Sequence, residues 1–159
     1  MNTFTLREIQ PTDSPGLAKL ITEFDGDITT RFQVDPYSAI VDGTEFRTTS
    51  VVVETTGYDG FVGMGTVRFS MVQFNGDTLP LAFLDGLKVN QTFRGNGLGH
   101  QIAGWRVQRA RDEFGDQCVI GTGMLHDNHA SHAVANKWCR EFAESAVGVS
   151  IMPSLTRPP

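Results

Sequence analysis

Apolar and polar positions alternate along this chain with two different periods, and each change of period marks an element. Phe4, Leu6 and Ile9, with Thr5, Arg7 and Glu8 between them, alternate loosely as a first strand does. Pro11 and Pro15 interrupt the pattern; Ser14 stands where a helix is capped and Pro15 at its first position, with Leu17, Leu20, Ile21 and Phe24 following at helical spacing. The signal is weak over residues 25–49, where Pro36–Val41 reads as a short helix. Residues 51–55 form a strand, Gly57 to Gly60 a turn, and residues 61–74 a longer strand broken by Gly63 and Gly65. Asn75-Gly76 is a hairpin signal leading into a strand over residues 81–89. Leu98, Ile102, Ala103, Val107, Ala110 and Phe114 give a helix that Gly115 stops, with Arg106, Arg109 and Arg111 on its solvated side, balanced by Asp112 and Glu113. Residues 118–122 form a short inner strand, 129–140 a helix and 147–152 a last strand.

Composition narrows the classes. A chain of 159 residues fits one domain, with 153–159 reading as a linker stub, and 40% hydrophobic against 19% charged residues is ordinary for a folded protein. The formal charge of −5 argues against nucleic acid as a partner, which needs a basic face. No apolar run is long enough to span a bilayer and no basic-then-apolar leader opens the chain, so no membrane partner is expected. Cys118 and Cys139 are far apart and form no Cys-x-x-Cys pair, which suits a reduced, cytoplasmic protein.

The candidate chemistry sits between the strand over residues 81–89 and the helix that starts at Leu98. Arg94-Gly95-Asn96-Gly97-Leu98-Gly99-His100 joins them, and alternating glycines let a backbone turn its N–H groups toward one point where a helix N-terminus adds its own. Such a loop binds phosphate. A dinucleotide fingerprint fails because the sixth position from Gly95 is His100, and no Lys-Ser/Thr pair completes a P-loop. A nucleotide-binding module of another fold is therefore disfavoured. What remains is Arg-x-x-Gly-x-Gly, carried by Arg94, Gly97 and Gly99 after Leu87-Lys88-Val89.

That motif resembles the acyl-CoA pyrophosphate loop of the GCN5-related N-acetyltransferases, the GNAT superfamily. The order of elements, Asn128 before the last helix, and residues 142–148 ahead of the last strand are similar too, although Glu141 stands where glycine is usual. The resemblance implies an α/β (α+β) fold with a central mixed, mostly antiparallel, splayed sheet of about six or seven strands flanked by about four helices. It implies acetyl-CoA as cosubstrate and no metal. Arg94, Gly95, Asn96, Gly97, Leu98, Gly99 and His100 would hold the pyrophosphate. Leu87, Lys88 and Val89 would pair with the pantetheine arm, with Asn128 and Ser131 beside it. The thioester would lie near Gly121, where two strands part, and a backbone N–H would stabilise the oxyanion. Transfer to a primary amine is direct.

An amine must lose a proton to attack, and the thiolate must gain one or be tolerated. Asp85 is the first choice for the base: strand alternation puts it with Leu81, Phe83, Leu87 and Val89, and a carboxylate in apolar surroundings accepts protons nearer neutral pH. An Asp bonded to the backbone beside Gly86 is the competing reading. Glu54 is the weaker alternative. The family's usual tyrosine acid is missing, since Ala135 and Asn136 occupy its positions while Tyr37 and Tyr58 lie elsewhere. Cys139, Ser131 or water could substitute. His126, His129 and His132 have partial ligand spacing but read as a solvated helix end. Asp25, Asp27, Asp35 and Asp42, against Arg31, form an acidic stretch that would attract a cationic amine acceptor, or an ordinary solvated loop. Homodimer pairing stays open. Two function classes follow: an N-acetyltransferase of small or peptidyl amines, or a catalytically weak or silent GNAT domain that binds acyl-CoA as a sensor or assembly module.

Overall fold

A computed structural model describes residues 3–25, 35–41, 46–125 and 127–140. The elements are β1 (Phe4–Glu8), α1 (Ser14–Asp25), α2 (Pro36–Val41), β2 (Arg47–Thr55), β3 (Gly63–Phe74), β4 (Asp77–Val89), α3 (Leu98–Phe114), β5 (Val119–Thr122) and α4 (His129–Ala135). The strands lie in the order β1-β2-β3-β4-β5. Neighbours are antiparallel except β4 and β5, which run parallel because α3 crosses over between them. This is the mixed, mostly antiparallel α/β sheet that the sequence implies, with five strands among the described residues. The strand expected at 147–152, the segment 142–148 and the stub at 153–159 lie outside those residues, as do His126 and most of the acidic stretch.

Each face of the sheet carries its own helices, and the valines of β2 show why. Val51, Val52 and Val53 are all fully buried, because successive side chains of a strand point to opposite faces. Val52 joins Leu17, Leu20 and Ile21 of α1. Val51 and Val53 join Leu98 and Ile102 of α3. Further along α3, Val107 and Ala110 pack on Val67, Phe69, Ala82 and Leu84. The β3–β4 hairpin turns on Asn75 and Gly76, both at positive φ as a two-residue type I′ turn requires. It makes β4 start at Asp77, four residues earlier than its apolar pattern alone suggests.

Several boundaries move for local reasons. Ser14 does not cap α1: a 3-10 turn (Pro11–Asp13) leads into the helix, Ser14 is already helical, and its Oγ accepts from the Tyr37 N–H at 3.2 Å, tying α2 to α1. Asp13 takes the anchoring role instead. Its carboxylate accepts from both terminal nitrogens of Arg7 at 2.7 and 2.9 Å and from the Gln10 N–H at 2.7 Å. Arg7 also donates to Glu54 at 2.6 and 3.1 Å, so one guanidinium joins β1, β2 and the entry to α1. The helix expected over residues 129–140 ends at Ala135, where Trp138 and Cys139 both donate to the Ala135 carbonyl and tighten the last turn.

The bonds from Arg7 hold the Asp13 carboxyl below the usual carboxylate range. A depressed folded-state value stabilises the fold above the unfolded value, about 3.9, and that contribution fades as pH falls through the folded value. Denaturant unfolding should therefore show stability dropping below about pH 4. Asp13→Asn should cost about 1–2 kcal/mol at neutral pH and flatten that acid dependence.

Candidate functional site

The site is built on a fault in β4. From Met64↔Lys88 to Thr66↔Asp85, β3 advances two residues while β4 advances three. The extra residue is a β-bulge, with Gly86 at φ +60°, a conformation glycine adopts freely. A bulge reverses the alternation beyond it. Ala82 and Leu84 point to α3, and past the bulge so do Leu87 and Val89. The sequence-based placement of Asp85 with Leu87 and Val89 is thereby corrected. Asp85 lies on the opposite, more open face, beside Arg68. Its carboxylate pairs with the Arg68 guanidinium and accepts from the Gly86 N–H at 2.7 Å, so its surroundings are ionic and polar rather than apolar.

The same fault opens the sheet. The β4–β5 ladder stops at Leu84↔Thr122, although β4 continues to Val89. Carbonyls that a neighbouring strand would bind are taken by side chains. Thr122 Oγ1 donates to Leu84 O at 2.8 Å, and Arg106 Nη1 donates to Asp85 O at 2.9 Å. The parting begins just past Thr122, one residue beyond Gly121. A cavity of about 250 Å³ fills it, lined among others by Asp85, Lys88, Arg106, Thr122 and Trp138. A second space of about 570 Å³ lies at the glycine loop and shares Leu87, Asn128, Ser131 and Val134 with the first. The two form one cleft running from the start of α3 to the split in the sheet.

The loop at the outer end is shaped by its own backbone. A short 3-10 turn (Gln91–Phe93) is capped by the Asn90 side chain, which accepts from the Thr92 N–H at 2.9 Å. Gly95 and Gly97 take φ of +84° and +74°, and Gly97 precedes α3 without a capping side chain. The first N–H groups of α3 therefore face the cleft with no side chain competing for them. Gly99 serves closeness instead: a Cβ there would stand 3.1 Å from Val134 of α4. Arg94, Gly95, Gly97, Leu98, Gly99 and His100 line the outer cleft, with Val89 on its strand side. Asn96 stands apart; its amide donates to Phe93 O at 3.0 Å and braces the turn. Asn128 caps α4 by accepting from the Ser131 N–H at 3.1 Å, which sets both residues at the junction of the two cavities.

Other expected residues fall elsewhere. Glu54 is bonded to Arg7 and lines an open cavity near the β1 edge with Asp13 and Tyr58. Cys139 lines a separate cavity with Cys118, Val119 and Arg111, and is absent from the lining of the cleft. Among the described residues no cluster of three His, Cys, Asp or Glu stands close enough to hold a metal ion.

Arg106 is the site residue that sequence reasoning misplaced. The helix pattern puts it on the solvated side of α3, yet it is 3% exposed. Burial pulls its guanidinium down to about 10, with the charge of Asp85 opposing that shift, so it remains charged at neutral pH. Spacing held the signal: Arg106 is four residues after Ile102 and four before Ala110, in the middle of the buried stripe. Gly65 on β3 makes the room, since a Cβ there would stand 2.5 Å from Ile102 Cγ2 and 3.0 Å from Arg106 Cδ. By contrast Arg109 pairs with Glu113 at 3.5 Å on the outer side, as expected.

The mixed sheet thus parts between β4 and β5, and an uncapped, glycine-led helix stands at the mouth of the split. The model of the acetyltransferase (GNAT) family matches residues 19–139, and the chain belongs to that family. Solved structures agree in fold. An aminoglycoside N-acetyltransferase in complex with CoA is 17% identical, with TM-score 0.71, covering 92% of this chain and 93% of that one. The glucosamine-6-phosphate N-acetyltransferase of Arabidopsis thaliana is 15% identical, with TM-score 0.66 and coverage of 91% and 97%. A ribosomal-protein-alanine N-acetyltransferase from Brucella melitensis is 13% identical, with TM-score 0.63 and coverage of 91% and 96%. No curated protein matches the chain in sequence.

Gly65→Ala tests how tightly α3 is seated. The added methyl should push Ile102 and Arg106 off the sheet and cost about 1–3 kcal/mol, read from the denaturant midpoint. An unchanged midpoint would show that the contact is slack.

Proposed function

We propose that this protein is an N-acetyltransferase that moves the acetyl group of acetyl-CoA directly to a primary amine of a small molecule or peptide. The observation carrying this reading is the continuous cleft from the glycine loop at the start of α3 to the split between β4 and β5. In it the pyrophosphate meets the first N–H groups of α3 with Arg94 alongside, a site that favours anions through both hydrogen bonds and the helix dipole. The pantetheine arm follows the β4 backbone at Leu87 and Val89, past Asn128 and Ser131. The thioester reaches the inner cavity, where β4 no longer pairs with β5. The family membership and the CoA held by one structural neighbour support the cosubstrate.

In this reading Asp85 is the base. It sits at the bulge on the face opposite α3, at the inner end of the cleft, and Arg68 and the Gly86 N–H hold its carboxylate in place. The Arg68 partnership is also what favours the second reading, a weak or silent acyl-CoA-binding domain, since the carboxylate oxygens are already engaged by Arg68 and the Gly86 N–H.

Calorimetry with acetyl-CoA against free adenine nucleotides, followed by a thiol-release screen across small and peptidyl amines, separates the readings. Binding with release supports the enzyme. Tight binding without release from any amine supports the silent domain, and absence of binding sinks both. With an active amine in hand, Asp85→Asn should flatten the acid limb of the kcat/KM profile and lower the plateau by roughly 10²-fold or more. An unaltered profile removes Asp85 from the mechanism.

A further inference from the structure

The cleft raises a chemical problem at its inner end. Its lining holds no tyrosine, and the hydroxyl of Thr122 already donates to the Leu84 carbonyl. Building on the acetyl-CoA reading above, we propose that the Arg106 guanidinium receives the departing CoA sulfur as a thiolate, so that transfer proceeds without a proton donor to the leaving group.

Three observations carry this. Arg106 is 3% exposed and yet lines the inner cavity, so its charge is met through that cavity rather than from the outer surface of α3. Its Nη1 donates to the neutral Asp85 carbonyl, its Nε is unpaired where it packs over Gly65, and among the described residues it forms no ion pair. Its position along the helix also fits. Arg106 lies eight residues beyond Leu98, about 12 Å along the helix axis, and so stands well inward of the glycine loop, toward the split in the sheet. Among the described residues, the titratable groups lining the cleft are Asp85 and Lys88 from β4, Arg106 itself, and Arg94 and His100 at the loop end. Neither β5 nor α4 supplies one. Arg68 meets the site only through Asp85.

The step balances as follows. The amine nitrogen attacks the thioester carbonyl carbon and forms the C–N bond. The C–S bond breaks, and sulfur leaves with its electron pair. The nitrogen gives its surplus proton to Asp85 or to water. The sulfur stays anionic beside Arg106 and takes a proton from solvent only as CoA departs. A largely buried positive charge favours that anion more strongly than it would in bulk water.

The test is a pH titration of free CoA bound to the protein, read by thiolate ultraviolet absorbance, in the natural chain, Arg106→Lys, Arg106→Met and Ser131→Ala. The thiolate fraction of bound CoA at neutral pH should be about tenfold that of CoA in solution, a shift of about one pKa unit. Arg106→Met should abolish the excess, Arg106→Lys should keep part of it, and Ser131→Ala should leave most of it. Calorimetry on the same samples reports occupancy. If CoA does not bind the natural chain, the acetyl-CoA reading fails and this proposal with it. If CoA binds and its thiol titrates as it does in solution, the proposal alone is overturned, even should Arg106→Met fail to fold. An excess that survives Arg106→Met, or that Ser131→Ala removes instead, also overturns it.

Discussion

One surplus residue in β4 governs the geometry of this protein. Between Asp85 and Lys88, Gly86 and Leu87 of β4 oppose Gly65 alone of β3, and the backbone absorbs the mismatch at Gly86. Without it β4 and β5 would be free to stay paired, and the carbonyls of Leu84 and Asp85 would meet a neighbouring strand. With it those carbonyls need other donors, because a buried carbonyl without a partner is costly. Thr122 and Arg106 supply them from β5 and α3. The bulge thus opens the cleft, turns Asp85 away from α3 and calls a buried cation to the split, so the three features are parts of a single arrangement.

Charge is distributed to suit that arrangement. The chain as a whole is acidic, at −5, yet Arg94, Lys88 and Arg106 line the cleft against Asp85. The first N–H groups of α3 add to the same sign. A polyanionic ligand therefore meets an attractive surface inside a molecule that repels anions elsewhere. Outside the cleft an ionic network of Arg7 with Asp13 and Glu54 fastens β1 to β2 and to α1, and so steadies the opposite edge of the sheet.

Much of this was legible in the residues. The glycine loop, the helix at Leu98, the hairpin at Asn75 and Gly76 and the element order follow from local chemistry that tertiary packing does not alter. Alternation gave way where the backbone departs from regularity. Counting in twos across Gly86 assigns Asp85 to the wrong face, since a bulge adds one residue and reverses every later position. Arg106 was misplaced for a different reason. Charge ordinarily marks the wet side of a helix, and the space that admits this arginine is made by Gly65, forty-one positions earlier on another element. Glu54 and Cys139 were named for their chemical type alone, and type does not say which cavity a side chain reaches.

The burial of Arg106 calls for more than a structural explanation. Moving a guanidinium out of water costs several kcal/mol even after the surroundings relax. A hydrogen bond from a charged donor to a carbonyl returns roughly 1.5–3 kcal/mol, and Nε contributes nothing because it is unpaired. Asp85 helps, but its carboxylate is engaged with Arg68 on the far face of the bulge, so its charge reaches Arg106 without a direct bond. A methionine at position 106 would fill the space beside Ile102 and Gly65 and spare the several kcal/mol of desolvation, against about 1–3 kcal/mol for leaving the Asp85 carbonyl without its donor. As a strut for the bulge alone, then, arginine is the costlier residue. The balance changes once an anion occupies the cavity, because the cation then gains a partner in the low-dielectric space where Coulomb attraction is largest.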